Sequence, residues 1–557
     1  MDIDQRTLGQ LRRNTGEVGN HVIDEFTAGH LSRREFLRRG TIVGMSLPLL
    51  GGILAACGSS SSTPTTTKAG GGGSSGATIN AGIIVPTGDI NPVTVSDQGG
   101  LDMLAQTGEY LCLSDQNLKL QPVLATSWSS NSAGDVWTFK IRSGVKFHNG
   151  QPLTADDVVY TYKLQSEPTG KSNALSAFTG VLTPSGVTKV DAQTVQFHLA
   201  APNGNFPYLC SSDNYNMIII PNNTDPTTWQ TSFVGTGPFV LKSYTAKSGA
   251  TFTRNEDYWG KKALPAQTVF TFYTDQPPQI LALQAGQIDV IGQFSVSGGE
   301  AILTGDFNVI KLHSSAHREL SMRCDVAPFT DPRVRRAIAL SINRPQTVTA
   351  LFKGESDLGN DSPFAPVFPS TNTSIAQRSQ NLSEAKSLLA AAGHPSGFTT
   401  QLITEQLLEI PQFAQIVQGF AKDIGVNISL KIESSSAYYG DAVFGKSDWL
   451  DATMSLVDYG HRSVPNVFLT APLESSGTWN AAHFKNTQYD TLAAQYVAAV
   501  DLSTQRTIAG QIETLLLQET PIIYAYFYNY LTATAKNVSG VYPTAIGHLF
   551  LYNATKS

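Results

Sequence analysis

The clearest alternation of apolar and polar positions lies in residues 136–141, which read VWTFKI. Apolar side chains there alternate with Thr138 and Lys140, and a period of two is the pattern of a strand with one buried face. The pattern breaks at Ser143-Gly144 and resumes as VKFH at 145–148. The sequence therefore predicts one strand at 136–141 and a second short strand directly after the break.

A helix is predicted after the turn dipeptide at 149–150, which is Asn-Gly. Thr154 stands three residues before Asp157, the spacing of a capping box. Val158 and Tyr162 then place an apolar stripe on one face of the helix. The segment 136–162 is thus predicted to run strand, turn and capped helix.

The same reasoning predicts further helices and strands along the rest of the chain, and an α/β fold is what the family resemblance given below implies for them. Asp331-Pro332 is a typical helix start, because the aspartate caps and the proline fits the first turn. Ser383 is interpreted as the cap of a further helix. Strands are predicted at 78–85, 194–199 and 425–430.

Length and charge narrow the class of protein. A chain of 557 residues exceeds what one core usually serves, so two or more domains are expected. The net charge of −6 and the absence of a basic face exclude a nucleic-acid partner. The cysteines lack CxxC spacing, which disfavours a cysteine zinc site. The chain has four cysteines. If Cys57 is used as the lipidation site described below, Cys112, Cys210 and Cys324 remain, and they can form at most one disulfide or stay as three buried thiols.

Residues 1–57 are predicted to be an export signal. The segment SRREFL, with Arg33 and Arg34, resembles the twin-arginine export motif. An uncharged stretch follows that is too short and too interrupted for a membrane-spanning helix. It ends in LAAC, which resembles a lipobox, so Cys57 is the predicted lipidation site; the alternative is an uncleaved anchor with a chance cysteine. Residues 58–76 are a Gly/Ser/Thr-rich flexible tether.

Residues 144–160, GVKFHNGQPLTADDVVY, resemble the signature of the family-5 bacterial extracellular solute-binding proteins, which include the peptide- and nickel-type receptors of ABC importers. The resemblance extends from about residue 78 to the C-terminus. Further matching segments are PVLATSW at 122–128, GTGPF at 235–239, RNEDYWG at 254–260 and DPRVRRAI at 331–338.

This resemblance implies a two-lobed fold of the large periplasmic-binding-protein type (cluster C), with a hinge between the lobes. Lobe 1 is expected to contain residues 77–318 plus 530–557, and lobe 2 residues 319–529. The chain is expected to cross between them near 317–325 and near 524–530.

The implied function is the substrate-binding component of an ABC importer. It captures a small solute, a peptide or similar organic molecule, in the cleft between the lobes and delivers it to the membrane permease and its ATPase. The resemblance further implies a protein that is not an enzyme, that needs no cofactor or metal and that is a monomer.

The predicted ligand-binding residues form an aromatic and polar set in lobe 2. In peptide-binding relatives the loop here resembles D-M-x-L-x-G-W-x-x-D-x-x-D-P, and its middle aspartate pairs with the amino terminus of the ligand. Gly460 occupies that register, and Asp458 lies two residues earlier as a substitute. Core packing is the alternative for each aromatic residue. The predicted set is Tyr438, Tyr439, Trp449, Asp458, Tyr459, His461, Arg462 and Trp479.

The alternative classes are a surface-anchored hydrolase and a non-transport sensor or adhesin. Ser383, in SEAK, Ser212, in SDN, and the KSG segment at 247–249 fit loose motifs of penicillin-recognising enzymes. Their order along the chain differs from that of those enzymes. His313 and His317 have the spacing of a helical metal pair, but the surrounding sequence favours strand and loop.

Overall fold

The computed structural model describes Ile23 and residues 76–557. The chain divides into two compact units, Met1–Gly72 and Gly73–Ser557, and the fold described below belongs to the second. Arg33, Arg34, Cys57 and the predicted tether up to residue 75 lie outside the described residues. Within the described part of the chain, no helix combines the length and the apolar character that crossing a membrane requires.

The strands lie in two large sheets, one four-stranded sheet and three two-stranded ribbons. In chain order they are β1 (Thr78–Ile84), β2 (Cys112–Ser114), β3 (Leu120–Pro122), β4 (Ala125–Ser130), β5 (Val136–Ile141), β6 (Val187–Asp191), β7 (Thr194–His198), β8 (Phe239–Thr245), β9 (Gly249–Arg254), β10 (Gln267–Tyr273), β11 (Val290–Phe294), β12 (Phe307–Leu312), β13 (His317–Met322), β14 (Ser356–Leu358), β15 (Phe398–Glu405), β16 (Val426–Glu433), β17 (Met454–Tyr459), β18 (Ile522–Tyr528), β19 (Tyr530–Ala535), β20 (Val538–Ser539), β21 (Tyr542–Pro543), β22 (Leu549–Phe550) and β23 (Thr555–Lys556).

The helices pack on the faces of these sheets. They are α1 (Gln98–Thr107), α2 (Ala155–Gln165), α3 (Leu175–Phe178), α4 (Phe206–Leu209), α5 (Trp229–Ser232), α6 (Gln276–Gln284), α7 (Glu300–Leu303), α8 (Pro332–Ser341), α9 (Arg344–Phe352), α10 (Leu382–Ala391), α11 (Ile410–Lys422), α12 (Ser435–Tyr439), α13 (Asp448–Asp451), α14 (Asn466–Thr470), α15 (Thr487–Ala498) and α16 (Leu502–Glu519), with 3-10 turns at Pro184–Gly186 and Pro226–Thr228.

The first sheet has seven strands in the order β12-β19-β11-β1-β10-β9-β8. Strand β1 runs parallel to β10 and β11, and β19 runs antiparallel to both β11 and β12. The carboxyl ends of β1, β10, β11 and β12 therefore share one edge. The α/β prediction is confirmed by this sheet and the next.

The second sheet has six strands in the order β14-β18-β13-β17-β15-β16. Strand β15 is parallel to β16 and β17, whereas β13 is antiparallel to β17 and β18. The carboxyl ends of β15, β16 and β17 therefore lie at the same edge as the amino end of β13.

The chain passes between the two large sheets twice, at adjacent points. Residues 313–316 join β12 to β13, and Asn529 alone joins β18 to β19. The Tyr528 N–H donates to the Ala316 carbonyl at 2.9 Å, and Ser314 Oγ donates to the Tyr528 carbonyl at 2.5 Å. Both sheets thus present the carboxyl ends of parallel strands to the crossings, the edge at which α/β folds bind ligands.

The first crossing precedes the predicted segment 317–325, because β13 already pairs with β17 at His317. The assignment of residues 77–318 plus 530–557 and residues 319–529 to two lobes stays a prediction.

The segment 136–162 contributes strand β5 to the four-stranded sheet β4-β5-β7-β6, and it contributes helix α2. Trp137 and Phe139 of β5 are buried as predicted, and Thr154 and Asp157 form both bonds of the capping box of α2. The strand predicted at 145–148 is wrong. Those residues make one isolated bridge, between Lys146 and Pro152, because the segment turns back on itself too tightly to form a ladder.

A further contact, away from the crossings, joins the segment at 204–205 to the segments at 466 and 497. The Gly204 N–H donates to the Val497 carbonyl at 2.9 Å, and Asn205 Nδ2 donates to Asn466 Oδ1 at 2.8 Å. A Cβ at Gly204 would lie 1.8 Å from the Ala499 carbonyl oxygen, so a side chain there would collide with the backbone. Glycine is what permits this close approach.

The three cysteines beyond residue 76 are free thiols in the structure, with Cys112 and Cys210 buried and Cys324 half-buried. Desolvation raises the pKa of Cys324 to about 11, so its thiol is protonated at neutral pH.

Candidate functional site

A charged cluster lies at the edge of the second sheet that faces the crossings. Arg318 is the second residue of β13, and Asp458 of β17 stands directly opposite it in the ladder. Its guanidinium donates to Asp458 Oδ1 and lies 2.9 Å from Glu409 Oε1, in the loop after β15. The Arg318 side chain is 1% exposed, while Glu409 and Asp458 keep 18% and 28% of their surface. The two carboxylates therefore remain accessible, whereas their counter-charge is buried.

Two tyrosines of β18 complete this group. Tyr528 donates its hydroxyl to Asp458 Oδ1 at 3.1 Å and Tyr526 donates to Glu409 Oε1 at 3.1 Å. The Tyr528 ring lies 4.3 Å from the Arg318 Cζ atom, in a cation–π contact. We call these five residues the Arg318 cluster.

The Arg318 cluster carries one more negative than positive charge. Desolvation alone would lower the pKa of Arg318, but Tyr528, Glu409 and Asp458 together raise it further, so it lies above its ordinary value. The guanidinium is therefore charged, and it neutralises only one of its two carboxylates. The remaining charge favours a cation at this edge of the sheet.

A third carboxylate, Glu405, ends β15 at the same edge. It accepts hydrogen bonds from Tyr439 Oη at 2.7 Å and from Ser435 Oγ at 2.8 Å. Burial, and then the hydrogen bond to Glu405, raise the pKa of Tyr439 above its ordinary value, so the phenol stays protonated and acts as a donor. Glu405 thus adds to the negative potential beside the Arg318 cluster.

The loop after β17 is tied to the first crossing through Ser315. The Ser315 N–H donates to His461 Nδ1 at 3.0 Å, Ser315 Oγ donates to the Arg462 carbonyl at 2.6 Å, and the Arg462 N–H donates back to Ser315 Oγ at 2.8 Å. Because Nδ1 of His461 accepts, the neutral ring carries its proton on Nε2. Burial, with a contribution from Arg462, lowers the pKa of His461 to about 3.

The remaining predicted aromatic residues line a hydrophobic core on the other face of the sheet. Tyr438 is fully buried and donates to the Leu456 carbonyl at 2.9 Å. Trp479 is half-buried, and its ring lies 6.3 Å from that of Trp449 and 5.9 Å from that of Tyr459. Their contact with a solute stays a prediction, as it does for Tyr439, Asp458, His461 and Arg462.

A buried polar group on the same face was not predicted. Glu319 Oε1 lies 3.2 Å from His317 Nε2 and accepts from Tyr524 Oη at 2.9 Å, and all three residues are at most 1% exposed. His313, instead, bonds Asp357 through Nδ1 at 2.6 Å. His313 and His317 therefore have separate partners, and among residues 76–557 no group of three or more His, Cys, Asp or Glu side chains could hold a metal ion.

A small cavity of about 10 Å³ lies between the first crossing, His461 and residues of the first half of the chain. Asp213 lines it, and desolvation raises the pKa of this carboxyl to about 6 against the opposing effect of hydrogen bonds from Ser463, Ser114 and Ser211. A space of this volume holds about one water molecule.

A larger cavity of about 520 Å³ opens on the outer helices α8, α10 and α16, with Arg336, Arg378 and Glu384 in its wall. It is remote from the crossings. We assign the site to the edge of the second sheet that faces the crossings, which we call the crossing edge. The accessible carboxylates of the Arg318 cluster and the carboxyl ends of parallel strands meet at this edge.

Ser383, in the SEAK segment, does not cap the helix that it is predicted to cap. Asn381, not Ser383, caps α10: its side chain accepts from the Glu384 N–H at 3.1 Å. Ser383 is already the second helical residue, so the predicted cap was wrong by two positions.

Comparison with known proteins agrees with this arrangement of two sheets around a crossing edge. The model of the bacterial extracellular solute-binding proteins, family 5 (middle region), matches residues 119–480. The dipeptide-binding protein DppE of Bacillus subtilis is 25% identical over 467 residues, which cover 78% of this chain and 84% of DppE. The murein peptide-binding protein MppA of Escherichia coli is 26% identical over 446 residues, covering 75% of this chain and 81% of MppA.

Solved structures show the same fold. HbpA2 of Haemophilus parasuis superposes with a TM-score of 0.76 at 23% identity, covering 86% of this chain and 100% of HbpA2. The unliganded open form of MppA has a TM-score of 0.76 at 20% identity, covering 87% of this chain and 98% of MppA. The fold and the family model together define a two-lobed solute-binding protein of the periplasmic-binding-protein class.

The chain belongs to the family-5 bacterial extracellular solute-binding proteins. It is the substrate-binding component of an ABC importer, and its family consists of binding proteins rather than enzymes.

Proposed function

We propose that this chain binds a short peptide, or a similar small organic molecule, in the cleft between lobe 1 and lobe 2, and that the Arg318 cluster receives a cationic group of this solute. The terminal amine of a peptide supplies one positive charge, which balances the excess carboxylate of the cluster, and donors for the acceptor oxygens of Asp458 and Glu409. Asp458 and Glu409 contribute the accessible acceptors.

The single observation that carries this proposal is the unequal burial of the cluster. Arg318 is 1% exposed, whereas Asp458 keeps 28% of its surface. A carboxylate held in place by a buried guanidinium and a tyrosine is a preorganised acceptor, because its orientation is fixed before the solute arrives. The names of DppE and MppA, which bind a dipeptide and a murein peptide, support the same chemical class.

The loop around Gly460 supports a shifted anchor. The relatives' amine-binding aspartate has glycine in its place, and Asp458 lies two residues earlier, within the ladder. We propose that Asp458 takes the role of that aspartate. Tyr439, His461 and Arg462 would then lie around the same solute, whereas Trp479 packs against Trp449 and Tyr459 in the hydrophobic core.

We further propose that the mature protein is a monomer held to the membrane by lipid on Cys57, after export through the signal that contains Arg33 and Arg34. The motif order, twin arginine, uncharged stretch and lipobox, supports this. In cells that make Cys57→Ser, we expect the protein to leave the membrane fraction. Equal membrane association of wild type and variant would contradict lipid anchoring.

The ligand proposal is tested on the soluble chain that begins at Ala77. Native mass spectrometry identifies a co-purified solute, and a thermal-shift screen compares peptides, sugars, opines and chelated nickel. A solute at a hundredfold excess over its Kd stabilises the folded state by about 2.7 kcal/mol.

Asp458→Asn keeps the size of the side chain and one acceptor oxygen, but it removes the charge and replaces the second acceptor by an N–H donor. We expect peptides with a free amino terminus to bind at least about tenfold more weakly, which corresponds to about 1.4 kcal/mol, and N-acetylated peptides to be insensitive. Asp441→Asn is the matched control, because Asp441 is 67% exposed and pairs only with the equally exposed Lys446. Unchanged affinity in Asp458→Asn would remove Asp458 from the site.

A further inference from the structure

The cavity of about 520 Å³ on the outer helices lies at the end of the second sheet that is opposite the crossing edge. Leu517 and Gln518 line it, and they belong to the last turn of α16, which leads into the amino end of β18. The crossing follows Tyr528, at the other end of that strand. A strand of seven residues is roughly 20 Å long, so this space, which we call the outer cavity, is separate from the Arg318 cluster.

Arg336 of α8 brings free hydrogen-bond donors to the outer cavity. Its side chain is 34% exposed, and its nearest carboxylate oxygen among the described residues is Glu384 Oε1, at 3.6 Å. That distance is longer than a hydrogen bond. The Nε atom is buried without a partner, whereas the two terminal nitrogens are not buried and remain able to donate.

A second guanidinium, that of Arg378, is held in place in the wall. Its side chain is 8% exposed, Nη1 donates to Asp361 Oδ2 at 2.5 Å, and Nη2 donates to the Leu517 carbonyl. Its Nε–H has no hydrogen-bond partner among the described residues, and this atom is not fully buried. Asp361 also accepts from Arg344 Nη2 at 2.6 Å, so two arginines share one carboxylate. This group therefore keeps one uncompensated positive charge, whose position is fixed before a ligand arrives.

The charges around the outer cavity do not balance. Arg336, Arg344 and Arg378 contribute three positive charges, whereas Asp361 and Glu384 contribute two negative ones. Desolvation lowers the pKa of Arg378, and the charges of Arg344 and Arg336 lower it further, against the opposing effect of Asp361. An anion in the outer cavity reduces this repulsion between the arginines.

The amino end of α10 adds to the positive potential. Asn381, the cap of this helix, lines the outer cavity, and a helix N-terminus carries about half an elementary positive charge. Ser379 and Gln518 add neutral polar groups to the wall. Guanidinium groups match the planar geometry of carboxylates and bind phosphates equally well, and a volume of about 520 Å³ is that of a site for a small organic molecule.

We propose that the outer cavity is a second binding site of this protein, which takes a small organic anion whose carboxylate or phosphate group is bound by Arg336 and Arg378. The site goes beyond the proposed function, because it shares no residue with the Arg318 cluster and lies at the other end of the second sheet. A ligand bound there contacts α8, α10 and α16 together, so it stabilises this part of the fold whether or not a solute is in the cleft.

The test measures binding of three probes to the purified protein by calorimetry at pH 7 and constant ionic strength. Citrate carries carboxylates, glycerol 3-phosphate carries a phosphate, and sulfate is an inorganic anion. Arg336→Gln removes one charge from the wall. Arg333→Gln is the matched control, because Arg333 lies on the same helix, is 46% exposed and is not among the residues that line the outer cavity.

We expect at least one organic probe to bind wild type, and the tighter of the two identifies the anionic group of the ligand. Arg336→Gln should weaken its binding about tenfold or more, because a charge-assisted hydrogen bond is lost, and Arg333→Gln should leave it unchanged. Glu384→Gln removes the acidic side chain of the wall but keeps an acceptor for Asn381 Nδ2. We expect it to bind the same probe more tightly, a gain that a folding defect does not produce.

Four outcomes would overturn the inference. They are no binding of either organic probe, binding of sulfate alone, affinities of Arg336→Gln that equal those of wild type or of Arg333→Gln, and a Glu384→Gln variant that binds no more tightly than wild type. None of them bears on the solute of the cleft, so the proposed function stands or fails separately.

Discussion

Replacing Arg318 tests whether the charged cluster at the crossing edge is organised by its buried guanidinium. In Arg318→Met, Asp458 and Glu409 would lose their counter-charge, and Tyr528 would lose its cation–π contact. Removing one partner of a buried ion pair costs about 3–5 kcal/mol, and a cation–π contact contributes about 0.5–2 kcal/mol.

The expected loss lies at the lower end of these ranges. Asp458 and Glu409 are 28% and 18% exposed, so water can partly hydrate them when the guanidinium is gone. We therefore expect Arg318→Met to lower the free energy of unfolding by about 3 kcal/mol. Arg318→Lys keeps the charge but loses the planar fork, so we expect a smaller loss of about 1–2 kcal/mol.

The assay is urea unfolding of the chain from Ala77 at pH 7, followed by tryptophan fluorescence. The double variant Arg318→Met/Asp458→Asn removes one of the two carboxylates that have lost their counter-charge. Its free energy of unfolding should therefore exceed that of Arg318→Met alone. A loss below about 1 kcal/mol in Arg318→Met, or a double variant that is less stable than the single one, would refute the reasoning.

Two further predictions concern groups outside the cluster. Ser315→Ala removes the hydroxyl that bonds both the N–H and the carbonyl of Arg462. We expect the free energy of unfolding, measured in urea, to fall by about 1–2 kcal/mol and solute binding to weaken. Unchanged values would show that Ser315 does not hold the loop after β17 in place. Desolvation raises the pKa of Glu513 from its ordinary 4.5 to about 8, so between these values the folded state holds a proton that the unfolded state has lost. Wild type should therefore lose stability as the pH rises from about 4.5 to about 8, whereas Glu513→Gln should not; parallel pH profiles of unfolding would contradict this.

Secondary structure could be predicted from the sequence where a few neighbouring residues determine it. The alternation at 136–141 and the capping box of Thr154 and Asp157 appear in the structure as predicted. The helix predicted from Asp331-Pro332 begins at Pro332. The strand at 145–148 was wrong because alternation alone does not show whether a neighbouring strand is available for pairing.

The Arg318 cluster could not be predicted in the same way. Arg318 and Asp458 are 140 positions apart, and only the register of β13 against β17 makes them neighbours. Asp458 was proposed from its distance to Gly460 in the loop motif, but nothing near Arg318 or Glu409 in the sequence marks them as its partners. The sequence likewise does not show that the Asn529 side-chain amide lacks a hydrogen-bond partner among the described residues, because pairing depends on which groups the fold brings within bonding distance.

The contact at Gly204 changes the mechanics of the molecule. Near the crossings the two large sheets share one hydrophobic core, and the ion pairs Lys311–Glu355 and Lys353–Glu300 join their surroundings. The bonds from Gly204 to Val497, from Asn205 to Asn466 and from Gln505 to Asn205 add a second contact area, away from the crossings. A swing about the crossings must break these bonds, at a net cost of about 0.5–1.5 kcal/mol for each. The strength of this contact is therefore one of the terms that determine how readily the two sheets move apart.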